Sequence, residues 1–320
     1  MSERGVLAPP TNVSGLGTIY IAGHTGLVGS VLHARLAGRE GLRVLGATRS
    51  EVDLTDNRAV EAYLGSEKPD IVVIAAGRVG GILANSTYPA EFLYQNLMIE
   101  ANLIHGAWKT GVRRLLNFGS TCMYPKQSPS PMTPDRLMTG PLEATSEPYA
   151  IAKLAGLGLC SAYNRQYGTS YITAIPCTLY GPGDSFDPVN AHVVSALVRK
   201  FHDAREQGAR EVVLWGTGAA RREFLYVDDV AEACEILLRA YDGPLAVNVG
   251  SGESHAVREI AALIAEVVGF EGAIRWDHSR PDGAPDKLLA SDVMRGLGWS
   301  PRTDLRRGLE RTYRWFCEQV

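Results

Sequence analysis

The sequence lacks the cysteine patterns of metal, redox or disulfide sites. Its 320 residues include five cysteines, and no two are close enough for a Cys-x-x-Cys motif. An odd, scattered set indicates reduced thiols and predicts a cytoplasmic protein. We therefore expect no metal site built on these cysteines, which are Cys122, Cys160, Cys177, Cys234 and Cys317.

The chain also lacks a strong charge of either sign and any long apolar run. Its net charge of -3 and pI near 6.2 give no electrostatic reason to bind nucleic acid or an anionic membrane. No run approaches the roughly 18 apolar residues of a membrane span. The first 16 residues have no apolar core for a signal peptide, so residues 1–16 are predicted to be a disordered extension.

Apolar strand-like runs and helical patterns alternate between residue 18 and about residue 180. Runs such as "DIVVIAAG" (70–77) are apolar nearly throughout, as expected for strands covered on both faces. The repeated β-α units predict an α/β, Rossmann-type, doubly wound parallel sheet over residues 17–180. Beyond that point the rhythm changes, and residues 181–320 are predicted to form a smaller mixed α/β lobe that binds substrate.

The first strand ends in a glycine-rich turn, "GHTGLVG", at residues 23–29. Glycines three residues apart allow a tight turn and a close approach of the backbone to pyrophosphate at the start of a helix. This pattern predicts a dinucleotide site. Its candidate residues are Gly23, Thr25, Gly26, Leu27, Val28 and Gly29 in the turn, with Ala75 at the end of the third strand.

The end of the second strand indicates which dinucleotide binds. An acid there would bond the ribose 2′-hydroxyl, whereas a cation favours a 2′-phosphate. The strand ends "ATRSEVD", which places Arg49 at this position, and Asp53 can bond the adenine amino group. We therefore predict NADP(H) as the cofactor.

Tyr149 and Lys153 form a Tyr-x-x-x-Lys motif on a predicted helix, so they share one face. A nearby ammonium stabilises phenolate, and we therefore expect Lys153 to lower the tyrosine pKa and make it a usable proton donor or acceptor. Lys153 can also hold the nicotinamide ribose. Ser120 ends the "FGS" strand at the carboxyl edge of the sheet, where it can bond a substrate carbonyl oxygen beside Tyr149.

These motifs resemble the extended short-chain dehydrogenase/reductases. The segments "VGGILANSTYPAEFLYQN", "GSTCMYPK", "EPYAIAKLAG", "RREFLYVDD" and "PDGAPDKLL" are similar to the GDP-L-fucose synthase family within them. The resemblance runs from about residue 17 to the C-terminus. It implies 3,5-epimerisation and NADPH-dependent 4-keto reduction of GDP-4-keto-6-deoxy-D-mannose, by an enzyme that is a homodimer through two long helices.

The resemblance also implies roles for particular residues. Cys122 and His192 would be the acid and base that invert carbons 3 and 5, with Ser120, Tyr149 and Lys153 completing the catalytic set. The GDP-sugar would be held by the second lobe. The implied substrate contacts are Val193, Leu197, Trp215, Arg222 and Lys287.

Two departures from the family pattern leave alternatives open. Thr25 stands where many family members have arginine, which removes a cation expected near the 2′-phosphate. Cys177-Thr178 replaces the usual Thr-Asn, which is compatible with a modified sugar. A colitose- or heptose-type epimerase/reductase is therefore one alternative, and a non-catalytic NADP-binding scaffold is another. A 4-epimerase or 4,6-dehydratase is disfavoured because dehydratases place an acid pair near residues 120–122, where this chain has Cys122.

Overall fold

The computed structural model describes residues 17–187, 191–243, 246–280 and 286–320, so the predicted extension at residues 1–16 lies outside the described residues. In chain order the strands are β1 (Thr18–Ala22), β2 (Arg43–Leu45), β3 (Ile71–Ile74), β4 (Arg114–Phe118), β5 (Ser170–Pro176), β6 (Thr178–Tyr180), β7 (Glu211–Trp215), β8 (Arg221–Tyr226), β9 (Val247–Val249), β10 (Ser254–Ala256) and β11 (Ala273–Asp277).

The helices alternate with these strands. They are α1 (Leu27–Ala37), α2 (Asn57–Glu67), α3 (Ile82–Thr87), α4 (Pro89–Lys109), α5 (Glu147–Tyr167), α6 (Val193–Glu206), α7 (Val227–Ala240), α8 (Val257–Val268), α9 (Asp292–Gly296) and α10 (Leu305–Cys317). None of the helices within the described ranges is long and apolar enough to cross a bilayer.

The main sheet has six parallel strands in the order β2-β1-β3-β4-β5-β9. Successive side chains of a strand point to opposite faces, so the apolar run of β1 supplies both sides of the sheet. Ile19 and Ile21 pack with residues of α1 and α7, whereas Tyr20 and Ala22 pack with residues of α2 and α4. The predicted Rossmann-type sheet with helices on both faces is confirmed.

The second lobe contains a three-stranded sheet, β10-β8-β6, and a two-stranded sheet, β11-β7. Helices α6, α8 and α10 enclose its own apolar core. The position of the segment "LAVNVG" beyond residue 180 predicts a strand of this lobe, but β9 pairs with β5 in the main sheet. The first lobe therefore includes a strand from beyond residue 180. Without β9, the N–H and C=O groups along the outer edge of β5 would be unpaired.

Candidate active site

Two close backbone approaches shape the glycine-rich turn after β1. Gly23 has φ +85°, and a Cβ there would lie 2.6 Å from the Ala76 nitrogen. A Cβ on Gly29 would lie 2.1 Å from the Gly23 carbonyl oxygen. No side chain caps α1 at Gly26, so the first N–H groups of the helix are available to an anion such as pyrophosphate.

A cleft of about 450 Å³ opens beside this turn, at the carboxyl edge of the sheet. Leu27, Val28 and Gly29 form the first turn of α1 next to it. Six of the predicted cofactor residues line it, namely Gly23, Thr25, Gly26, Arg49, Asp53 and Ala75. The residues present therefore fit a dinucleotide, with a glycine cradle and helix start for phosphate and a cation at the end of β2.

The lining also includes residues that the sequence reasoning missed. Thr48 and Thr55 flank the end of β2, Gly77 and Arg78 follow β3, and Gln95 comes from α4. The positions that follow β2 and β3 were a usable signal, because ligands bind outside the carboxyl ends of parallel strands. Gln95 gave no such signal, since only the packing of α4 brings it to the cleft.

Asp53 is held in a defined position at the rim of the cleft. The Thr55 hydroxyl donates to its carboxylate at 2.7 Å, and the Thr55 N–H donates at 2.9 Å. These hydrogen bonds, together with a smaller attraction to Arg49, lower the pKa of Asp53 below its usual range. The side chain is therefore an ionised acceptor at neutral pH, as a contact to an adenine amino group requires.

Cys122 lies in a single turn of 3-10 helix, Thr121–Met123, that follows β4, and Ser120 is the N-cap residue of this turn. The Ser120 Oγ accepts a hydrogen bond from the Cys122 N–H at 3.2 Å. Cys122 is half-buried rather than part of the core. The two side chains predicted to act on neighbouring substrate atoms are therefore fixed by the same turn.

Tyr149 lies in the first turn of α5 and meets this turn from the other side. The Ser120 hydroxyl lies close enough to the Tyr149 phenol to lower its pKa. The Lys153 Nζ lies 5.8 Å from the centroid of the Tyr149 ring. The structure thus brings Ser120, Tyr149 and Lys153 together, as the spacing of the motifs predicted.

The expected direction of the Tyr149 pKa is wrong. Burial raises the pKa of the phenol above its usual value of 10.0, and the charges of Cys122 and Glu100 raise it further. Lys153 and Ser120 lower it, as expected, but they do not outweigh burial. Tyr149 is therefore a protonated phenol at neutral pH.

His192 is the N-cap residue of α6, and its Nδ1 lies 3.7 Å from Asp184 Oδ1. Asp184 is itself buried and accepts a hydrogen bond from the Ser195 hydroxyl. The carbonyl oxygen of the preceding residue, Ala191, would lie 3.0 Å from a Cβ on Gly81. The segment carrying His192 is therefore packed against the loop that follows β3.

The five predicted substrate contacts differ in exposure. Leu197 is buried and Val193 is half-buried in the core of the second lobe. Trp215 is 54% exposed, and the Arg280 guanidinium lies 5.0 Å from its ring centroid. Arg222 lies on β8, and its guanidinium donates to the Arg221 carbonyl oxygen at 2.6 Å. Their contacts with a nucleotide sugar stay predictions.

Lys287 connects the second lobe to this region. The Lys287 Nζ donates to the Thr121 carbonyl oxygen at 3.4 Å, so the C-terminal segment reaches the turn that holds Cys122. Within the second lobe, Lys200 of α6 donates to the Val213 carbonyl oxygen at 2.6 Å, two residues before Trp215. Burial lowers the pKa of Lys200.

Comparison with known proteins places this geometry in a family. The model of the NAD dependent epimerase/dehydratase family matches residues 19–250, which include the glycine turn, Ser120, Tyr149 and Lys153. The chain belongs to this family. Residues 251–320, which include Lys287, lie beyond the matched range.

Curated relatives confirm the narrower resemblance. Within the family, the chain is 49% identical to GDP-L-fucose synthase 1 of Arabidopsis thaliana over 302 residues, covering 94% of each chain. It is 48% identical to the GDP-L-fucose synthase of Escherichia coli K12, covering 94% of this chain and 96% of that one. A GDP-L-colitose synthase of Yersinia pseudotuberculosis is 37% identical, with 94% and 98% covered.

Solved structures of the same family have the same fold. A GDP-6-OMe-4-keto-L-xylo-heptose reductase from C. jejuni has a TM-score of 0.88 at 32% identity, covering 95% of this chain and 98% of that one. MlghC, a GDP-mannoheptose C4 reductase from Campylobacter jejuni with NADP bound, has a TM-score of 0.83 at 31% identity, covering 94% and 98%.

Proposed function

We propose that the chain converts GDP-4-keto-6-deoxy-D-mannose to GDP-L-fucose by 3,5-epimerisation and NADPH-dependent reduction of the 4-keto group. The observation that carries this proposal is the Cys122 thiol in the turn that sets Ser120 against Tyr149. A reductase of this fold needs Ser120, Tyr149 and Lys153. The additional thiol supplies the acid/base group that epimerisation requires.

The epimerisation half follows from the acidity of carbons next to a ketone. Loss of a proton from carbon 3 or 5 gives an enolate, and inversion needs a base on one face and an acid on the other. Cys122 and His192 take these roles, and the Asp184 carboxylate lies 3.7 Å from the imidazole Nδ1. Ser120 and Tyr149 hydrogen-bond the C4 oxygen and stabilise the negative charge that develops there.

The reduction half uses the same oxygen. When bound, NADPH supplies the hydride that reduces a ketone. Tyr149 gives its proton to the C4 oxygen, a role that fits a phenol whose pKa is raised by burial. Lys153 holds a positive charge beside this phenol. Among the cleft residues, Arg49 supports NADP(H) over NAD(H), and the related C4 reductase with NADP bound supports the same assignment.

A sister activity is the second candidate. The relatives include a GDP-L-colitose synthase, and a solved structure with the same fold is a GDP-6-OMe-4-keto-L-xylo-heptose reductase. The replacement of the usual Thr-Asn pair by Cys177-Thr178 favours this second activity. Cys177 is buried, with a pKa raised well above its usual range by burial, and Thr178 begins β6. A shorter hydroxyl at position 178 than the usual asparagine leaves room for a different sugar substituent.

A homodimer in the cytoplasm is part of the proposal. Tyr94 of α4 and Ile151 of α5 are 60% and 44% exposed, and Gly158 is exposed two turns after Ile151. These residues form an apolar face on the two long helices that a second copy of the chain would cover. All five cysteines are unpaired, which suits a reducing compartment.

Incubation with GDP-4-keto-6-deoxy-D-mannose and either NADPH or NADH, with the product identified by NMR, tests the proposal. We expect GDP-L-fucose, formed faster with NADPH. A reduced product that keeps the original configuration at carbons 3 and 5 would instead identify a C4 reductase without epimerase activity. If the substrate is not consumed, the proposed substrate is wrong.

A further inference from the structure

A carboxylate is buried behind the catalytic tyrosine and lysine. Glu100 lies in the middle of α4 and is 1% exposed. Its Oε1 is 2.5 Å from the Nζ of Lys153, which is itself 3% exposed. Bulk water cannot solvate either charge, so each group must be stabilised by the opposite charge of the other.

The neighbouring elements are shaped around this carboxylate. Asn117 of β4 donates to Glu100 Oε2 at 3.5 Å. A Cβ on Gly156 of α5 would lie 1.5 Å from the same oxygen. The Glu100 side chain thus occupies the space left by the glycine, one turn along α5 from Lys153, and this fixes the carboxylate on the Lys153 side of the helix.

Burial of an ion pair is unfavourable unless the geometry repays the loss of water, and an apolar residue would fill the same space at lower cost. The titratable groups around Glu100 are Lys153, Tyr149 and Cys160, all on α5. Lys153 is the cation in direct contact. The carboxylate is therefore best explained by what it does to Lys153.

We propose that Glu100 is a positioning residue for proton transfer: its carboxylate holds the Lys153 ammonium in place and charged beside the Tyr149 phenol. The proposed function gives this arrangement its use, because Tyr149 acts on the substrate only with the lysine charge beside it. Burial opposes the charge on Lys153, but the attraction of Glu100 and Tyr149 outweighs it and raises the lysine pKa. Without the carboxylate, the effect of burial on Lys153 would remain, and burial lowers the pKa of the lysine.

The titration of Lys153 itself tests the proposal. The chain has only six lysines, so ¹³C-labelled lysine gives few NMR signals, and Lys153→Met identifies the signal of Lys153. In Glu100→Gln we expect the Lys153 titration midpoint to fall by at least about one pH unit, a tenfold change in its proton affinity. The measurement uses the protein without substrate or cofactor, so its outcome does not depend on which sugar is reduced.

The matched control is Glu235→Gln. Glu235 is also buried and ion-paired, to Arg35 and Arg39, but on the opposite face of the sheet. We expect both variants to lower the melting temperature and only Glu100→Gln to move the Lys153 midpoint. An unchanged midpoint in Glu100→Gln would show a merely structural residue and overturn the proposal.

Gly156→Ala provides a second route that keeps the charge. The new methyl group displaces the Glu100 carboxylate from Lys153, so the lysine midpoint should fall in the same direction by a smaller amount. In both variants the alkaline limb of the pH profile of kcat/KM should move to lower pH. If Glu100→Gln does not fold and Gly156→Ala folds with an unmoved lysine midpoint, the proposal fails.

Discussion

Cys122 is a residue whose environment, rather than its identity, indicates a function. Cys160, Cys177 and Cys234 are buried, and burial raises the pKa of each thiol. Cys122 instead lies half-buried in a turn whose backbone is tied to the Ser120 hydroxyl. A thiol at such a place can reach a bound substrate, whereas the three buried thiols cannot.

Two single substitutions distinguish the epimerisation and reduction halves of the proposed reaction. In Cys122→Ser we expect solvent-deuterium exchange at carbon 3 or 5 to fall at least about a hundredfold, because a hydroxyl is a far weaker acid/base group than a thiol. In Tyr149→Phe we expect reduction to be lost while exchange persists in part. NMR of the sugar in deuterated buffer measures exchange, and NADPH oxidation measures reduction.

Cys317→Ser is the control for the thiol, since Cys317 is exposed at the end of α10. NADPH binding should be unchanged in Cys122→Ser. Wild-type exchange and product formation in Cys122→Ser would remove the thiol from the mechanism.

Elements were easier to predict than their environments. The strands β1, β3 and β4 and the helices α4 and α5 follow from apolar runs and helical periodicity, which are local properties. The Tyr149 pKa could not be predicted, because burial depends on how α4 and α5 pack. Glu100 had no sequence signal either: it is one polar residue in a helix, and its partners Lys153 and Gly156 are more than 50 positions away in the chain.

The close backbone approach at Gly29, in the first turn of α1, predicts that a side chain at this position weakens cofactor binding. In Gly29→Ala the added Cβ would lie 2.1 Å from the Gly23 carbonyl oxygen, and neither backbone can move without opening the turn. We expect at least about a tenfold loss of NADPH affinity and a lower melting temperature, although alanine favours helices by about 1 kcal/mol over glycine. Fluorescence titration with NADPH measures the affinity.

Gly38→Ala is the matched control at the other end of α1. Among the described residues, apart from its neighbours in the chain, nothing lies within 4 Å of the position that a Cβ would take at this glycine, so the variant should bind NADPH as the wild type does. Equal affinities for the two variants would contradict the role given to the glycine turn.

Glu223, on the strand β8, makes the stability of the fold depend on pH. Glu223 accepts hydrogen bonds from the Gly252 and Leu289 N–H groups at 2.7 and 3.0 Å, yet burial raises its pKa to about 7. Since the unfolded chain releases this proton near pH 4.5 and the folded chain near pH 7, the unfolded state binds fewer protons between these values. Stability therefore falls as pH rises through this window, by up to about 3 kcal/mol.

We expect Glu223→Gln to flatten this fall, whatever its effect on absolute stability. Urea unfolding at pH 5 and at pH 7.5 measures the difference in the free energy of unfolding. Glu253→Gln, which changes an acid with an 80% exposed side chain next to Gly252, should keep the wild-type slope. A wild-type slope in Glu223→Gln would show that Glu223 does not titrate in this window.

The residues proposed for epimerisation and for reduction lie where the two lobes of the molecule meet. The main sheet supplies the cofactor turn and Ser120, and the second lobe supplies His192 and Lys287. The bond from Lys287 to the Thr121 carbonyl oxygen joins them at the catalytic turn. A residue proposed to bind the substrate thus also forms a contact between the lobes, so a change at Lys287 should alter the position of the catalytic turn.

The exposed apolar face on α4 and α5 predicts that the protein assembles as a dimer. Gly158 is exposed, and no described residue outside its own stretch of helix comes within 4 Å of a Cβ at this position, so Gly158→Glu should leave the monomer folded while it places charge in the α4–α5 face. We expect the wild type to sediment at twice 34.6 kDa and Gly158→Glu to sediment as a monomer. Val293→Glu, at a 41% exposed apolar residue on α9, should stay dimeric. A wild-type monomer, or a Gly158→Glu dimer, would place the interface elsewhere, because a buried unpaired charge in each subunit is too costly for a stable dimer.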